Sequence, residues 1–319
     1  MIHLIPSPNP DNPKLKVTGL SWDISKKQII IAYNDDSLYI WNISKNSYDT
    51  RREFSSSIKF IKHTDFGTVV ALDDKVLSLD ESGMIVNTFD SEDPITAANI
   101  QSGRLYLGNG NGSLIILDLM TFSLVKAISD VGAVILQIAL AKESQILLSL
   151  KDRTIRLYLM NEQFELELRH KFIDVIHRSH WVVAGFSPDG ELAFGSAKTK
   201  GSHNICLWEV ERGTIFKTLE GPREDLIEAK WNPKRPLLAS LSKYGTCYLW
   251  KPIFPKKWSA LFPDMEEIEE NVEYVEREDE FDEVQDEKPA NPADIEPDHI
   301  DIVNDGISES VLAELRLFN

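Results

Sequence analysis

Seven histidines, two cysteines and a few adjacent carboxylates are the groups in this 319-residue chain that could do chemistry. His177 and His180 are the one close histidine pair, and no acid–cysteine set accompanies them. A metal centre needs three or four convergent ligands, so the pair reads as solvated loop and no metal is expected. Cys206 and Cys247 fall in equivalent strand patterns, where buried thiols behave as small hydrophobes. We expect that role for both rather than nucleophilic catalysis. Glu266-Glu267 and Glu269-Glu270 are paired carboxylates, but they lie in a charged stretch that offers no enclosing pocket. No Gly-x-Gly-x-x-Gly follows a strand pattern, and no phosphate-binding Walker loop occurs. The expectation is a non-enzyme, with no catalytic residue, no cofactor and no small-molecule substrate.

The charge is partitioned. The chain carries a formal −17. Residues 264–319 hold 21 acidic side chains against Arg277, Lys288 and Arg316, whereas the rest is nearly neutral. Blocks of like charge repel, stay extended and often serve as interaction tails. We divide the chain into a body, 1–253, and an acidic partner-binding tail, 254–319. Two cysteines exclude a disulfide framework and suit a reducing compartment. No apolar run is long enough for a membrane helix. The first residues lack a basic stretch followed by a long apolar one, so no secretory signal is expected.

The body is built from repeats. Six alternating segments align: Ser37–Trp41, Lys75–Leu79, Ser113–Leu117, Thr154–Tyr158, Asn204–Trp208 and Thr246–Trp250. Their last residues are separated by 38, 38, 41, 50 and 42 positions. A period near 40 with strand-type alternation predicts four-stranded propeller blades. Asn42, Asp80, Asp118 and Glu209 follow the anchor in four units, a degenerate Trp-Asp dipeptide. In blade five the predicted strands are Trp181–Ser187, Leu192–Ala197, Asn204–Val210 and Thr214–Glu220. Blade six has Leu226–Asn232, Leu237–Ser242 and Thr246–Pro252 but no fourth strand of its own. An open sheet edge invites pairing, so Ile2–Pro6 is predicted to supply that strand. The fold class expected is all-β, a WD40-type propeller with six recognisable blades and room for a seventh. An extended acidic tail follows, with a short helix over Ser308–Phe318. Ser308 would cap that helix, and Ile307, Val311, Leu312, Leu315 and Phe318 would form its apolar stripe.

Several segments carry a more specific likeness. They are Gly185-Phe-Ser-Pro-Asp-Gly-Glu191, Gly195-Ser-Ala197, Trp231-Asn-Pro-Lys-Arg-Pro-Leu-Leu-Ala-Ser240, Trp258-Ser-Ala-Leu-Phe-Pro-Asp264 and Glu270-Asn-Val-Glu-Tyr-Val-Glu-Arg-Glu-Asp-Glu-Phe-Asp282. Together they resemble the retinoblastoma-binding protein 5 family, WD-repeat core subunits of COMPASS/MLL-type histone H3 lysine-4 methyltransferase complexes. The likeness is good over about 145–303 and faint before it. Family members have seven blades, and the first unit here aligns best with their second. No Ser or Thr lies between Ser259 and Ser308, so the family's phosphorylation within the acidic box is expected to be absent.

The resemblance implies roles for the tail. Asn271, Val272, Glu273, Tyr274, Glu276, Arg277, Glu280 and Phe281 match the segment that activates the SET-domain methyltransferase. Glu278, Asp279, Asp282, Glu283, Asp286 and Glu287 match the acidic box that docks on the SPRY-domain subunit. Ile300, Asp301 and Ile302 match the motif held by the complex's second WD-repeat subunit. On the body, the family's DNA-touching arginines fall at Arg153, Arg178, Lys198 and Arg223. Strand order places all four, with Lys200, in loops of one propeller face. The resemblance thus implies a nuclear chromatin scaffold for transcription regulation, docked on nucleosomal DNA and away from membranes. A generic WD adaptor in RNA processing or ubiquitin ligation is the alternative.

Overall fold

The computed structural model describes residues 5, 7–8, 14–129, 131–142, 144–174 and 179–252, and the backbone of 315–318. Every regular element in it is a strand, and the strands form six four-stranded sheets. Blade one comprises β1 (Val17–Asp23), β2 (Gln28–Tyr33), β3 (Ser37–Asn42) and β4 (Ser47–Glu53). Blade two comprises β5 (Ile58–Thr64), β6 (Gly67–Leu72), β7 (Lys75–Leu79) and β8 (Ile85–Asp90). Blade three comprises β9 (Ile95–Gln101), β10 (Arg104–Asn109), β11 (Leu114–Asp118) and β12 (Leu124–Ile128). Blade four comprises β13 (Ile135–Ala141), β14 (Gln145–Leu150), β15 (Thr154–Met160) and β16 (Leu166–Ile173). Blade five comprises β17 (Trp181–Phe186), β18 (Leu192–Ala197), β19 (Ile205–Glu209) and β20 (Ile215–Leu219). Blade six comprises β21 (Leu226–Trp231), β22 (Leu238–Ser242), β23 (Cys247–Pro252) and β24 (Leu315–Phe318). This is the all-β propeller that the repeat predicts.

The alternation of the strands explains the blades. The second strands are mostly apolar, as in Ile29-Ile-Ile-Ala-Tyr33 and Val69-Val-Ala-Leu72, because in the interior blades both faces meet a neighbouring blade. The six repeat anchors, Trp41, Leu79, Leu117, Tyr158, Trp208 and Trp250, all fall in third strands and are all buried. The polar residue after the anchor closes the next turn. Asp80 Oδ1 accepts from the Ser82 and Met84 amides at 2.9 and 2.8 Å. Asp118 Oδ1 accepts from Met120 and Thr121, both at 3.0 Å, and Asn42 Oδ1 from Lys45 at 3.0 Å. These are Asx turns, which satisfy amides that a tight turn would otherwise leave unpaired.

Blades are joined by apolar seams. Ile30 and Leu38 of blade one meet Ile61 and Leu77 of blade two. Val69 and Val76 of blade two meet Ile95 and Leu105 of blade three. Leu114 and Ile116 meet Ile135 and Leu148 across the next seam. Leu147 and Ile155 meet Trp181 and Trp208, and Phe194 and Leu207 meet Leu238 and Trp250. Each such side chain withdrawn from water contributes about 1.5–3 kcal/mol. Inner strands pack in the order β1–β5–β9–β13–β17–β21, and no comparable packing joins β21 back to β1.

Three expectations change. The fourth strand of blade six is not residues 2–6, of which only Ile5 is described, outside any strand. It is β24, lying parallel to β23 with Leu249 opposite Leu315 and Pro252 opposite Phe318. Where the sequence predicts the end of a helix, Leu315–Phe318 is therefore strand, and 308–314 lie outside the described residues. The physical reason is the free edge of β23, whose unpaired backbone groups accept any extended segment within reach. Third, the two thiols expected to be buried are not equally so: Cys206 is half-buried and Cys247 is exposed. Equivalent positions to Cys247 hold Leu38, Val76, Leu114, Ile155 and Ile205, all buried against the following blade. Blade six has no following blade.

Candidate functional site

The loops after second and fourth strands share one face of the disc. Arg153 lies between β14 and β15, Lys198 and Lys200 between β18 and β19, and Arg223 between β20 and β21. All four are exposed. The structure thus puts Arg153, Lys198 and Arg223 on the common face that strand order predicts, while Arg178 lies outside the described residues.

Hydrogen bonds hold this face in place across three blades. Arg153 has a left-handed backbone, φ 68°, a conformation that costs a non-glycine residue about 1–2 kcal/mol. Its carbonyl accepts from Trp181 Nε1 at 3.0 Å, which anchors the loop to blade five. Trp181 can stand there because Gly195 leaves room. A β-carbon on Gly195 would come within 2.7 Å of Ile155 and 3.3 Å of Trp181. Further along, the Lys198 amide donates to His180 O at 2.6 Å. The Gly201 amide donates to Asp225 Oδ1 at 2.6 Å, and the Lys243 amide to Asp225 O at 2.8 Å.

The acids on this face are largely engaged. Asp152 pairs with Arg156 at 2.5 Å and accepts from Thr154 Oγ1 at 2.6 Å. Burial alone would raise its pKa, but these bonds and the Arg156 charge outweigh burial and hold the carboxylate below its ordinary range. The Gly201 amide is the main cause of a lowered pKa at Asp225, which also pairs with Lys243 at 3.6 Å. Arg153, Lys198 and Arg223 have no ion pair among the described residues. Free, co-facial cations can neutralise phosphates without reading bases.

Sequence reasoning missed two members of this set. Lys151, Lys198 and Lys243 are each the first residue after the second strand of their blade. Each donates its amide to the carbonyl of the residue just before the inner strand: Val134, His180 and Asp225. Lys151 and Lys243 thus join the face. The signal was present as a lysine recurring immediately after Leu150, Ala197 and Ser242, and it needs strand ends to be seen.

Among the described residues no three His, Cys, Asp or Glu side chains converge. His203 lies fully buried with Nε2 2.7 Å from Ser240 Oγ, and Trp250 Nε1 donates to that oxygen at 2.8 Å. That knot ties blade five to blade six and has no access to solvent. Burial pushes the His203 pKa down, against a smaller upward pull from Glu224, which favours the neutral ring. Burial likewise raises the Cys206 thiol, away from the reactive thiolate. The tail residues assigned by resemblance, 271–287 and 300–302, lie outside the described residues.

A scan against protein-family models finds no match. The chain is 29% identical to the retinoblastoma-binding protein 5 homolog of Drosophila melanogaster, over 81% of this chain and 56% of that protein. It is 40% identical over 124 residues to the Set1 complex component swd1 of Schizosaccharomyces pombe, covering 39% of this chain and 31% of the other. The chain thus spans about half the length, or less, of these curated relatives. Among solved structures, the Myceliophteria thermophila Cps50 (Swd1) β-propeller domain superposes with a TM-score of 0.63 at 23% identity. That match covers 72% of this chain and 81% of the other, and shows the shared propeller fold.

Proposed function

Because the chain belongs to the retinoblastoma-binding protein 5 family, we propose that it is a non-catalytic scaffold subunit of a COMPASS-type histone H3 lysine-4 methyltransferase complex in the nucleus. The likeness to named Set1-complex and COMPASS components carries this reading. In it, the propeller docks on nucleosomal DNA through Arg153, Arg178, Lys198 and Arg223, with Lys151 and Lys243 beside them. The exposure of the described cations and the engagement of Asp152 and Asp225 support that role. The tail joins the partners. Asn271, Val272, Glu273, Tyr274, Glu276, Arg277, Glu280 and Phe281 lie along the SET-domain subunit. Glu278, Asp279, Asp282, Glu283, Asp286 and Glu287 meet the SPRY-domain subunit, and Ile300, Asp301 and Ile302 meet a second WD-repeat subunit. A hydrophobic–acid–hydrophobic triplet suits strand-like capture by two pockets and one polar clamp.

The experiment is purification of the tagged full chain from its own cells, followed by methylation assays on the recovered complex. SET- and SPRY-domain subunits should co-purify. Changing Tyr274 and Phe281 to Ala should lower methylation at least tenfold, since interface aromatics often carry about 2 kcal/mol each. Recovery of an RNA-processing or ubiquitin-ligase assembly instead would discard the reading.

A further inference from the structure

The turn from the third to the fourth strand of a blade closes on a residue with a left-handed backbone. In blades one, two and five that residue is Asn46, Gly83 or Gly213, at φ 54°, 81° and 70°, the types that adopt this conformation most readily. In blades three and four it is Phe122 and Phe164, at 56° and 60°, where a bulky side chain is strained. Phe122 has a packing reason. It is 6% exposed and lies in the seam between blades two and three. Phe164 is only half-buried against the seam between blades three and four, and it lines two cavities there. Strain that packing leaves unexplained points to function.

The cavities measure about 570 and 320 Å³ and meet at Phe164. The larger opens between Ser102 and Asn161, in loops of the face opposite the basic one. The smaller lies against Lys126 and Ala127 of the outer strand β12 and Ser129 in the loop leading to blade four. Arg104 holds its guanidinium 4.3 Å from the centre of the Phe164 ring, a cation–π contact that fixes the charge over the groove. Tyr106 lines the same cavity. Burial raises its phenol pKa against a smaller pull from Arg104, so it keeps a proton to donate. Arg104 and Lys126 have no ion pair among the described residues. Of the lining acids, Glu165 accepts from Asn161 Nδ2 at 3.0 Å, which leaves Glu162. Register sets the spacing of the cations. Arg104 lies opposite Asp118, and Ile116 opposite Lys126. Both cations therefore share the sheet face toward blade four, two strands and two residues apart, about 12 Å. On an extended chain, residues i and i+4 are about 13 Å apart and point the same way as i+2. We infer that the groove between blades three and four binds an extended acidic peptide of the form acid–x–apolar–x–acid, with its carboxylates on Arg104 and Lys126 and its central side chain against Phe164 and Met160. A free anion would engage one cation alone.

The test is fluorescence anisotropy on the full chain with two labelled probes, Gly-Glu-Ser-Phe-Ser-Glu-Gly and its counterpart with Lys in place of both Glu. The acidic probe should bind about tenfold or more tightly than the basic one, through its charge-assisted bonds. Arg104→Glu with Lys126→Glu should reverse that preference. Phe164→Gly should weaken the acidic probe about tenfold yet lower the melting temperature less than Phe122→Gly. It relieves a strained turn beside a cavity, whereas Phe122→Gly empties a packed seam. Arg153→Ala with Lys198→Ala and Arg223→Ala should leave binding of this probe unchanged, which separates the groove from the basic face. No binding of the acidic probe at millimolar concentration, or equal binding of both probes, overturns the proposal. So does displacement of the probe by free glutamate as effectively as by unlabelled peptide, which would assign the site to a small anion.

Discussion

Blades one to three and blades four to six share a backbone and differ in what they hang on it. The first residue after the second strand is Asn34, Asp73 and Gly110 in one half, and Lys151, Lys198 and Lys243 in the other. In five of the six, the same amide donates to the loop entering the blade: Asn34 to Lys16, Gly110 to Pro94, Lys151 to Val134, Lys198 to His180 and Lys243 to Asp225. The fold therefore needs the position's amide and is indifferent to its side chain. Asp35, Asp36, Asp73, Asp74, Glu92 and Asp93 crowd the loops of the first half on this face, where the described cations are Lys14 and Lys16 just before β1. Charge at such positions is free to be set by what the face meets, at little cost to stability.

The largest effect should come from erasing that difference. Lys151, Lys198 and Lys243 changed together to Asn would give the second half the residue of blade one. With about 0.9 counterion per phosphate contact, the slope of log K against log salt for nucleosome binding should fall by about 2.7. Over a fourfold change in salt this separates the proteins by about fortyfold. The melting temperature should stay within about a degree, because each amide bond is kept. An unchanged slope would break the comparison.

A smaller effect should follow at the first position of the inner strand. Among Val17, Ile58, Ile95, Ile135, Trp181 and Leu226, Trp181 alone carries a donor. Trp181→Phe keeps a ring in the seam and removes the bond to Arg153 O. Denaturant unfolding should show a loss of about 0.5–1.5 kcal/mol, with weaker nucleosome binding as the Arg153 loop loosens. Stability lost without any loss of binding would mean that the bond serves the fold alone.

The smallest effect is a pH dependence confined to the second half. Burial lowers the His203 pKa, so the unfolded chain takes up a proton near pH 6.5 that the folded chain refuses. Stability from this group is complete above that pH and declines as pH falls below it. His203→Gln should flatten the stability profile between about pH 6.5 and 5. A profile unchanged by the substitution would place the sensitivity elsewhere.

Much of this was legible because seams impose a period. The buried anchors, Trp41 through Trp250, recur at blade spacing, and Leu192–Ala197 was bounded to the residue by flanking turn signals. What was not legible depended on partners far away in the chain. Cys247 reads as a core residue because its strand is a core strand, and only the missing neighbour exposes it. Leu315-Arg-Leu-Phe318 fits an apolar helix stripe and a strand equally, and the free edge of β23 decides. The His203–Ser240–Trp250 knot joins residues 37 and 10 apart, with no local pattern to announce it. The tail roles rest on short motifs that carry no fold signal.

The order of the seams has a last consequence, for how the molecule comes apart. Among the described residues each blade is held by its immediate neighbours, so the six blades are coupled in a row through five seams. Blades two to five lose two couplings when they open, and blades one and six lose one. Fraying starts at the termini of such an array. Arg153 rides on an interior unit and Arg223 on the entry to a terminal one, so the two ends of the basic face are presented by elements of unequal persistence.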